Sequence, residues 1–410
     1  MKICLVSNLY SPYAVGGAEI YVEKIAKRLS SLHEVSVITT QPFQNFSSLK
    51  YSLIKQNGIK IYSFYPINIY HLLRLRYKPV FIKPFWHALD IWNHHSYFTV
   101  NRILHEENPD IVHTHNLNGI SLSVIDSIKK AGLPLVHTCH DFSLLCPYAN
   151  LSCSLNKEDY CPQPVLPCSI YRKFKKMVID DKPDIVIFPS RSTGDIYLKN
   201  NFFKNAKREI LHYCVDAPSI PSLEFKEDNC FNILYVGQLV KHKGVQVLIN
   251  AFRNLQNQNL KLHIVGDGAY KKELQNFSEG DKRIIFHGKI PNKDIWRFYS
   301  LAQLTVVPSI WPEVLGIVIL ESLSMGTPVI GSNIGGISEV INDGFNGLIF
   351  KPADARGLKN ILEKIILSPT LLKELGVNAL NSSFAFGIEQ HLTKLSQIYS
   401  KAIGLARHKN

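Results

Sequence analysis

Residues 308–328 read Pro308-Ser-Ile-Trp-Pro-Glu-Val-Leu-Gly-Ile-Val-Ile-Leu-Glu-Ser-Leu-Ser-Met-Gly-Thr-Pro328. This pattern predicts a strand that ends at Pro308, a turn, and a helix over about 316–325 that stops at Gly326. Glu321 is the one charged residue of that apolar helix. Burying an ionised carboxylate is costly unless hydrogen-bond donors surround it, so we expect a specific partner for Glu321.

Three kinds of polar group lie around the start of this helix. A ribose supplies two hydroxyl donors to one carboxylate, which suits Glu321, and Glu313 could hold a hydroxyl of a transferred sugar at the lip of a cleft. The backbone amides of Leu315, Gly316 and Ile317 suit a phosphate or sugar oxygen, because they lack helical partners. The alternative interpretation is a surface turn and a core helix whose glutamate is satisfied by the protein itself.

Short apolar runs alternate with stretches of helical period in two series. Near-continuous Val, Ile and Leu strands between helices are typical of parallel sheets that are covered on both faces. The stretch 216–222, Asp-Ala-Pro-Ser-Ile-Pro-Ser, has neither period and is predicted to be a linker. The first series comprises residues 2–7, 34–40, 59–64, 110–115, 134–139 and 184–189, and the second comprises 232–236, 260–265, 283–287, 304–308, 328–331 and 347–350.

We therefore predict an α/β protein with two Rossmann-like, doubly wound domains, 1–215 and 216–387. A last helix at about 388–405 is expected to pack back on the first domain. At 410 residues the chain is longer than one hydrophobic core usually holds. Because such sheets bind ligands at the carboxyl ends of their strands, the active site is expected in a cleft between the domains.

Two loops after predicted strands suit a diphosphate. Residues 235–244 form a strand end, a loop and a helix start. Lys243 could reach a phosphate held beside Gly237 and Gln238 in this loop. The Gly16-Gly17 turn after the first strand lets backbone approach a ligand, although a solvated lysine and a plain tight turn are the alternatives. This turn lacks the Gly-x-Gly-x-x-Gly fingerprint, which argues against a nicotinamide oxidoreductase.

In its setting of Pro-Ser, Gly and Met-Gly-Thr-Pro, the spacing of Glu313 and Glu321 resembles the donor-binding motif of glycosyltransferase family 4. Members of that family are retaining enzymes with the GT-B fold, and the similarity covers nearly the whole chain. The resemblance implies that Glu321 binds the ribose and that Glu313 contacts the donor sugar. It also implies that the Gly16-Gly17 segment faces the diphosphate and the acceptor.

One residue departs from the family pattern. The family usually has Arg where this chain has Gln238, and an amide cannot replace the charge of a guanidinium. Leaving-group stabilisation should then rest more on Lys243, with Lys241 or Arg191 as further cations.

Polar residues also end two predicted strands of the first domain. His140 matches the active-site histidine of the family, which resembles a sugar-hydroxyl binder more than a base. The segment 113–116, His-Thr-His-Asn, sits similarly one strand earlier and ranks second. Gly266-Asp267-Gly268, Gly335-Gly336 and Glu339 resemble family loops around the nucleotide, although their glycines could equally serve turns alone.

The net charge of +13 is spread along the chain. A diffuse excess fits an anionic substrate, an anionic membrane surface or nucleic acid, but no nucleic-acid-binding signature accompanies it. The first apolar stretch is too short for a signal peptide, and no run is long enough for a membrane span. We therefore expect a cytosolic protein with no nucleic acid partner.

Four of the eight cysteines, Cys146, Cys153, Cys161 and Cys168, fall in one loop-like segment. Six or seven residues separate neighbours, whereas zinc sites normally pair ligands at two to four residues. Reduced, partly buried thiols are favoured over a structural metal, and no catalytic metal is expected.

Residues 70–105 mix Tyr, Trp, Phe and His with Arg74, Arg76, Lys78, Lys83 and Arg102. Such a mixture suits a membrane interface that presents a lipid-linked acceptor. The alternative is a helical pair with a solvated basic face. The sequence does not decide between the two, because no clean amphipathic period is expected past Pro79 and Pro84.

Together these features predict a retaining GT-B glycosyltransferase that uses a nucleoside diphosphate sugar and a glycan or lipid-linked acceptor, with no cofactor. Front-side departure of the diphosphate, assisted by Lys243 and helix amides, is the expected mechanism, because no side chain is placed as a covalent nucleophile. A sugar-nucleotide epimerase, a phosphorylase and a non-catalytic sugar-nucleotide-binding protein are the alternatives that share such a cleft.

Overall fold

The computed structural model describes residues 1–14, 16–151, 161, 164–217 and 230–407. In these stretches the strands form two separate sheets, one of eight strands and one of six. Helices lie between most successive strands. The prediction of an α/β chain with two doubly wound units is confirmed.

The first sheet belongs to residues 2–210. Its strands are β1 (Lys2–Val6), β2 (Glu34–Thr40), β3 (Ser52–Gln56), β4 (Ile59–Phe64), β5 (Ile111–Thr114), β6 (Leu135–Thr138), β7 (Ile185–Phe188) and β8 (Lys207–Ile210). Its helices are α1 (Gly17–Leu29), α2 (Lys83–Ile91), α3 (His94–Glu107), α4 (Ser123–Lys130), α5 (Leu166–Ile179) and α6 (Arg191–Lys199). The strand order is β3-β4-β2-β1-β5-β6-β7-β8, and only the β3–β4 pair is antiparallel.

The second sheet is parallel throughout and begins at Phe231. Its strands are β9 (Phe231–Val236), β10 (Leu260–Val265), β11 (Ile284–Gly288), β12 (Leu304–Val307), β13 (Val329–Ser332) and β14 (Gly347–Phe350), in the order β11-β10-β9-β12-β13-β14. The remaining helices are α7 (Val245–Arg253), α8 (Lys271–Phe277), α9 (Asn292–Leu301), α10 (Ile317–Ser324), α11 (Ile337–Val340), α12 (Ala355–Ile366), α13 (Pro369–Ser383) and α14 (Ile388–Arg407).

Every predicted strand is present, and two strands were not predicted. All five residues of β3 are exposed, and β8 has the polar sequence Lys-Arg-Glu-Ile. Both lie at the outer edges of the first sheet, where one side of the strand faces solvent and a continuous apolar run is not needed. Strands of this kind leave no apolar run in the sequence, so they cannot be predicted from one.

Helix α14 lies on the first sheet, where it contacts β5 and β6. The Tyr399 hydroxyl lies 2.8 Å from Nδ1 of His113, and Nε2 of His391 lies 2.8 Å from the Tyr21 hydroxyl. The chain reaches this position through a bridge between Val215 and the residue that precedes the helix. Both ends of the chain therefore contribute to the first domain.

The four-cysteine segment is described in part. Cys146 is buried, Cys161 and Cys168 are half-buried, and Cys153 lies outside the described residues. Within the described stretches, no group of three His, Cys, Asp or Glu side chains has the geometry to hold a metal ion. The absence of a catalytic metal stays a prediction.

The basic and aromatic segment 70–105 contains two short 3-10 helices followed by α2 and α3. Pro84 lies in the first turn of α2, where its missing N–H has no helical partner to lose. The segment therefore contains a helical pair, as the alternative interpretation expects. Across the described residues, no helix is both long and apolar enough to cross a bilayer.

A buried ion pair joins α2 to α5. Nζ of Lys175 lies 3.9 Å from Oδ2 of Asp90, and each of the two side chains is 1% exposed. Lys175 also donates to Asn118 at 2.6 Å, and the Gly119 amide donates to Asp90 at 2.7 Å. Burial raises the pKa of Asp90 to about 6, although the lysine and the Gly119 hydrogen bond act in the opposite direction.

This pair predicts a pH-dependent cost of removing the lysine. At pH 7.5, Lys175→Met should lower the free energy of unfolding by about 3–5 kcal/mol, because Asp90 is left charged and uncompensated. At pH 5, Asp90 is protonated and the loss should be smaller, since the folded state binds this proton more tightly than the unfolded state. Urea unfolding followed by tryptophan fluorescence at both pH values measures the difference.

The double variant Asp90→Asn/Lys175→Met is the control, because it carries no buried charge. It should recover most of the stability lost at pH 7.5. An equal loss for Lys175→Met at both pH values would show that the charge of Asp90 is not the cause.

Candidate functional site

The candidate site is built from loops at the points where the strand order reverses. In the first sheet, β2 and β5 lie on opposite sides of β1. In the second sheet, β10 and β12 lie on opposite sides of β9. Parallel sheets bind ligands at such points, beside the carboxyl ends of the strands. Gly16-Gly17 follows β1, His115 follows β5, Lys243 follows β9 and Glu313 follows β12.

Lys243 and Glu313 form an ion pair in the second domain. Nζ of Lys243 lies 2.5 Å from Oε1 of Glu313. The same oxygen accepts hydrogen bonds from Ser309 Oγ at 2.7 Å and Trp311 Nε1 at 3.3 Å. The ammonium also lies 5.6 Å from the centre of the Trp311 ring, within cation–π range. Within the described stretches these three hydrogen bonds all end on Oε1.

The environment of Glu313 keeps it ionised although it is only 7% exposed. Burial alone raises the pKa of a carboxyl group, but the charge of Lys243 and the hydrogen bonds from Lys243 and Ser309 outweigh it. The pKa of Glu313 therefore lies below its ordinary value. At neutral pH this side chain accepts hydrogen bonds and donates none.

Two glycine turns hold the backbone around this pair. The residue after the lysine is Gly244, with φ +71°, and a Cβ there would lie 1.8 Å from the carbonyl oxygen of Pro308. Gly335, with φ +61°, would place a Cβ 2.5 Å from the backbone nitrogen of Glu313. The Gly336 amide donates to the Glu313 carbonyl at 2.7 Å. These glycines are required because three loops meet with no space for side chains.

Two helix N-termini meet across the cleft. Gly17 begins α1 and Ile317 begins α10, and a Cβ on Gly17 would lie 3.2 Å from Cδ1 of Ile317. Gly316 precedes α10 with φ +90°, next to the buried Leu315. Helix N-termini attract anions because their amides and dipoles point outward. The structure thus brings the predicted Gly16-Gly17 turn and the predicted amides of 315–317 together.

Glu321 lies one helical turn further along α10 and is half-buried. Its Oε2 accepts a hydrogen bond from the Tyr299 hydroxyl at 2.8 Å. Burial raises the pKa of Glu321, while the Tyr299 bond and the charge of Lys24 in α1 act in the opposite direction. One oxygen is satisfied by the protein, as the alternative interpretation expects, and the binding of a ribose by Glu321 stays a prediction.

His140 lies just after β6, and both its ring nitrogens are engaged by the protein. Nε2 lies 2.9 Å from Nδ1 of His115, and Nδ1 lies 2.9 Å from the Tyr213 hydroxyl. Burial, with a smaller contribution from the charge of His137, lowers the pKa of His140 to about 3. The ring is neutral at physiological pH, so it cannot act as a cationic acid there. A sugar hydroxyl would have to replace one of these two protein partners.

The other predicted residues fall on the rim or between the domains. Gln238 is exposed in the loop after β9, and Gly237 precedes it with its amide bonded to Val265. Arg191 begins α6, where its amide donates to Glu339 at 2.8 Å. The Ser192 amide donates to the other oxygen of Glu339 at 2.7 Å.

Glu339 therefore caps a first-domain helix from the second domain. Because Gly336 in the same turn binds the Glu313 carbonyl, this cap also fixes the position of the candidate site relative to the first domain.

Two family models match the chain in tandem. Residues 15–217 match the model described as Glycosyltransferase Family 4, and residues 220–382 match the model described as Glycosyl transferases group 1. The chain belongs to the group 1 glycosyltransferases. It is a transferase enzyme, and the predicted family resemblance is confirmed.

Similar proteins span nearly the whole length of this glycosyltransferase. An uncharacterized 42.6 kDa protein in the cps region of Klebsiella pneumoniae is 28% identical over 344 residues, which is 83% of this chain and 87% of that protein. Sucrose-phosphate synthase from Thermosynechococcus elongatus superposes with a TM-score of 0.75 at 20% identity, over 98% and 99% of the two chains. Anabaena HepE in complex with UDP gives 0.71 at 21% identity, over 98% and 100%. These similarities confirm the GT-B fold.

The ion pair predicts a large loss of activity when its cation is removed. Lys243→Ala should lower kcat/KM for sugar transfer by about two orders of magnitude, the scale for losing one group that stabilises transition-state charge. Steady-state release of the nucleotide from the donor measures the effect.

Lys359→Ala is the matched control. Lys359 is 29% exposed and pairs with Glu363, whereas Lys243 is 24% exposed and pairs with Glu313. The control should keep wild-type kinetics. Wild-type kinetics for a folded Lys243→Ala variant would remove Lys243 from the catalytic site.

Proposed function

We propose that this glycosyltransferase transfers a sugar from a nucleoside diphosphate sugar, with retention at the anomeric carbon, to a glycan or lipid-linked acceptor. The observation that carries the proposal is the contact between Gly17 and Ile317, which brings two helix N-termini together within the loops that hold Lys243 and Glu313. Amides, dipoles and one ammonium converge there, and a diphosphate is the ligand that such a group of donors fits best.

A uridine nucleotide is the favoured donor. HepE, which shares the fold over its whole length, is bound to UDP. In this chain, Glu321 on α10 is the residue proposed to bind the ribose. The Tyr299 hydroxyl donates to its Oε2, and the ribose is proposed to bind through Oε1. The two ribose hydroxyls would donate to this carboxylate, and the raised pKa of Glu321 would fall when they do.

Glu313 is proposed to hold the donor sugar. Its Oε1 is fixed by Lys243, Ser309 and the indole of the intervening tryptophan, so that its second oxygen is held rigidly for a sugar hydroxyl. Lys243 is proposed to move its charge towards the diphosphate when the donor binds. In the unliganded cleft Glu313 holds that ammonium near the place where the diphosphate would bind.

The proposed chemistry is a front-side exchange. The bond between the anomeric carbon and the diphosphate oxygen breaks, the acceptor oxygen forms its bond on the same face, and the acceptor proton passes to the leaving diphosphate. Lys243 and the amides that begin α10 stabilise the charge that develops on the leaving group. His140, neutral and buried, is proposed to orient a hydroxyl rather than to transfer a proton.

The acceptor is proposed to be a growing glycan or a lipid-linked sugar at the cytoplasmic face of a membrane. The relative in a Klebsiella cps region supports a role in surface polysaccharide synthesis. Capping of α6 by Glu339 supports a closed arrangement that excludes water, which would protect the donor from hydrolysis.

A calorimetric titration separates the two ends of the donor site. Glu321→Gln should weaken binding of free UDP as well as of the complete sugar nucleotide, because a ribose contact is made by both ligands. Glu313→Gln should not weaken binding of free UDP, since it leaves Lys243 free to meet the diphosphate, and it should weaken only the sugar-bearing donor. Each charged hydrogen bond lost should cost about 1.5–3 kcal/mol of binding free energy.

Glu363→Gln is the control for both variants, because Glu363 is also a carboxylate paired with a lysine but lies on α12. Equal weakening of free UDP by the two site variants, or none by Glu321→Gln, would contradict the division into a ribose end and a sugar end. Donor turnover in the absence of any acceptor would instead favour an epimerase.

A further inference from the structure

The segment around the start of α2 presents an apolar stripe to solvent. Phe81, Phe85 and Leu89 stand four residues apart and are 72%, 68% and 46% exposed. The opposite side of the helix holds Trp86 and Asp90, which are buried. A single exposed apolar side chain is ordinary, but three large ones on one stripe mark an interaction face.

Helix α5 carries a second stripe with the same period. Its buried side holds Tyr171 and Lys175, and its outer side carries no acidic residue. The apolar residues of the outer side are 48% to 73% exposed. They are Leu166, Ile170, Phe174 and Met177.

The two stripes lie side by side. The inner faces of the helices contact each other, since the His87 and Tyr171 rings are 5.4 Å apart and Lys175 pairs with Asp90. Because the inner faces of the two helices pack together, their outer faces lie next to each other on one side of the first domain. We call the seven exposed apolar residues of these two stripes the α2–α5 face.

Several cations stand around the α2–α5 face, although Lys175 is buried beside Asp90 and Lys176 pairs with Asp180 at the end of α5. Residues 72–89 and 164–179 together contain eight Lys and Arg residues and no Asp or Glu. Lys83 and Lys173 stand next to the apolar stripes, half-buried and exposed respectively. Large apolar side chains with cations around them are typical of proteins that lie on anionic bilayers, where each cation near the surface contributes about 1 kcal/mol.

We propose that the α2–α5 face docks on an anionic lipid bilayer. A second copy of the chain fits less well, because Lys83 and Lys173 beside the face would meet the same cations of its copy. The face also adjoins the cleft: the Tyr171 hydroxyl donates to the Ser143 carbonyl at 2.7 Å, three residues after His140. Docking would therefore place a lipid-linked acceptor beside the site, which is the part of the inference that rests on the proposed function.

Sedimentation with vesicles tests this docking on the full-length protein. Vesicles of phosphatidylcholine with phosphatidylglycerol should bind the protein, and binding should weaken with salt. Phe85→Ser/Phe174→Ser should lower the partition coefficient at least about tenfold, because two large apolar groups no longer insert. The control Phe277→Ser/Leu367→Ser removes side chains that are 51% and 83% exposed on the second domain, and it should bind like wild type.

A charge series separates lipid attraction from general stickiness. Lys83→Glu/Lys173→Glu should lower partition at least about tenfold, whereas Lys272→Glu/Lys293→Glu, which reverses two exposed cations of the second domain, should lower it far less. Equal binding to vesicles of phosphatidylcholine alone, or unchanged binding of the α2–α5 variants, overturns the proposal. A concentration-dependent dimer that the Ser variant abolishes would instead assign the face to self-association.

Vesicle binding needs neither donor nor acceptor, so its failure is distinct from failure of the proposed transfer reaction. Transfer to a water-soluble acceptor should be unchanged in all four α2–α5 and control variants, because none of the substituted residues lies in the cleft loops.

Discussion

The ion pair between Lys243 and Glu313 is the interaction on which the rest of the site depends. It holds a cation where we propose that the diphosphate binds, and it keeps a nearly buried carboxylate charged. The pair forms only because the backbones of two loops touch, with Gly244 against the carbonyl of Pro308. A side chain at Gly244 would separate the loops and leave two charges without partners.

The same arrangement links catalysis to the packing of the two domains. The turn that holds the Glu313 backbone continues into α11, whose Glu339 caps α6 of the first domain. A hydrogen-bonded cap at a domain interface is strong enough to define a closed state and weak enough to open, since it competes with water. Apolar contacts continue from the first domain to Trp311 and Leu315 at the site. Opening the cleft for product release would therefore expose the surroundings of the ion pair.

Much of the fold could be predicted from the sequence because parallel strands covered on both faces leave continuous apolar runs. Edge strands β3 and β8 leave no such signal, because their residues are polar or exposed. The start of α2 could not be predicted, since a proline that begins a helix, as Pro84 does, and one that breaks it look alike in sequence.

The candidate site could also be predicted from the sequence only in part. Glu313 and Glu321 lie in one short segment, so the sequence alone indicates that Glu313 precedes a helix and that Glu321 lies within it. Their partners are not all local: Tyr299 lies on the preceding helix, and nothing in the spacing indicates that its hydroxyl binds Glu321. Ser309 and Trp311 stand within the same segment as Glu313, but their contacts depend on how the turn folds. The engagement of both nitrogens of His140 likewise needed the three-dimensional structure.

A crystal structure of the enzyme with an intact, non-hydrolysable UDP-sugar tests the central claim most directly. We predict that the diphosphate lies between the Gly16-Gly17 turn and the start of α10, and that Nζ of Lys243 moves from Glu313 to a phosphate oxygen. Oε2 of Glu313 should then accept a hydroxyl of the sugar. A diphosphate bound elsewhere in the cleft, with Lys243 still held by Glu313, would contradict the account.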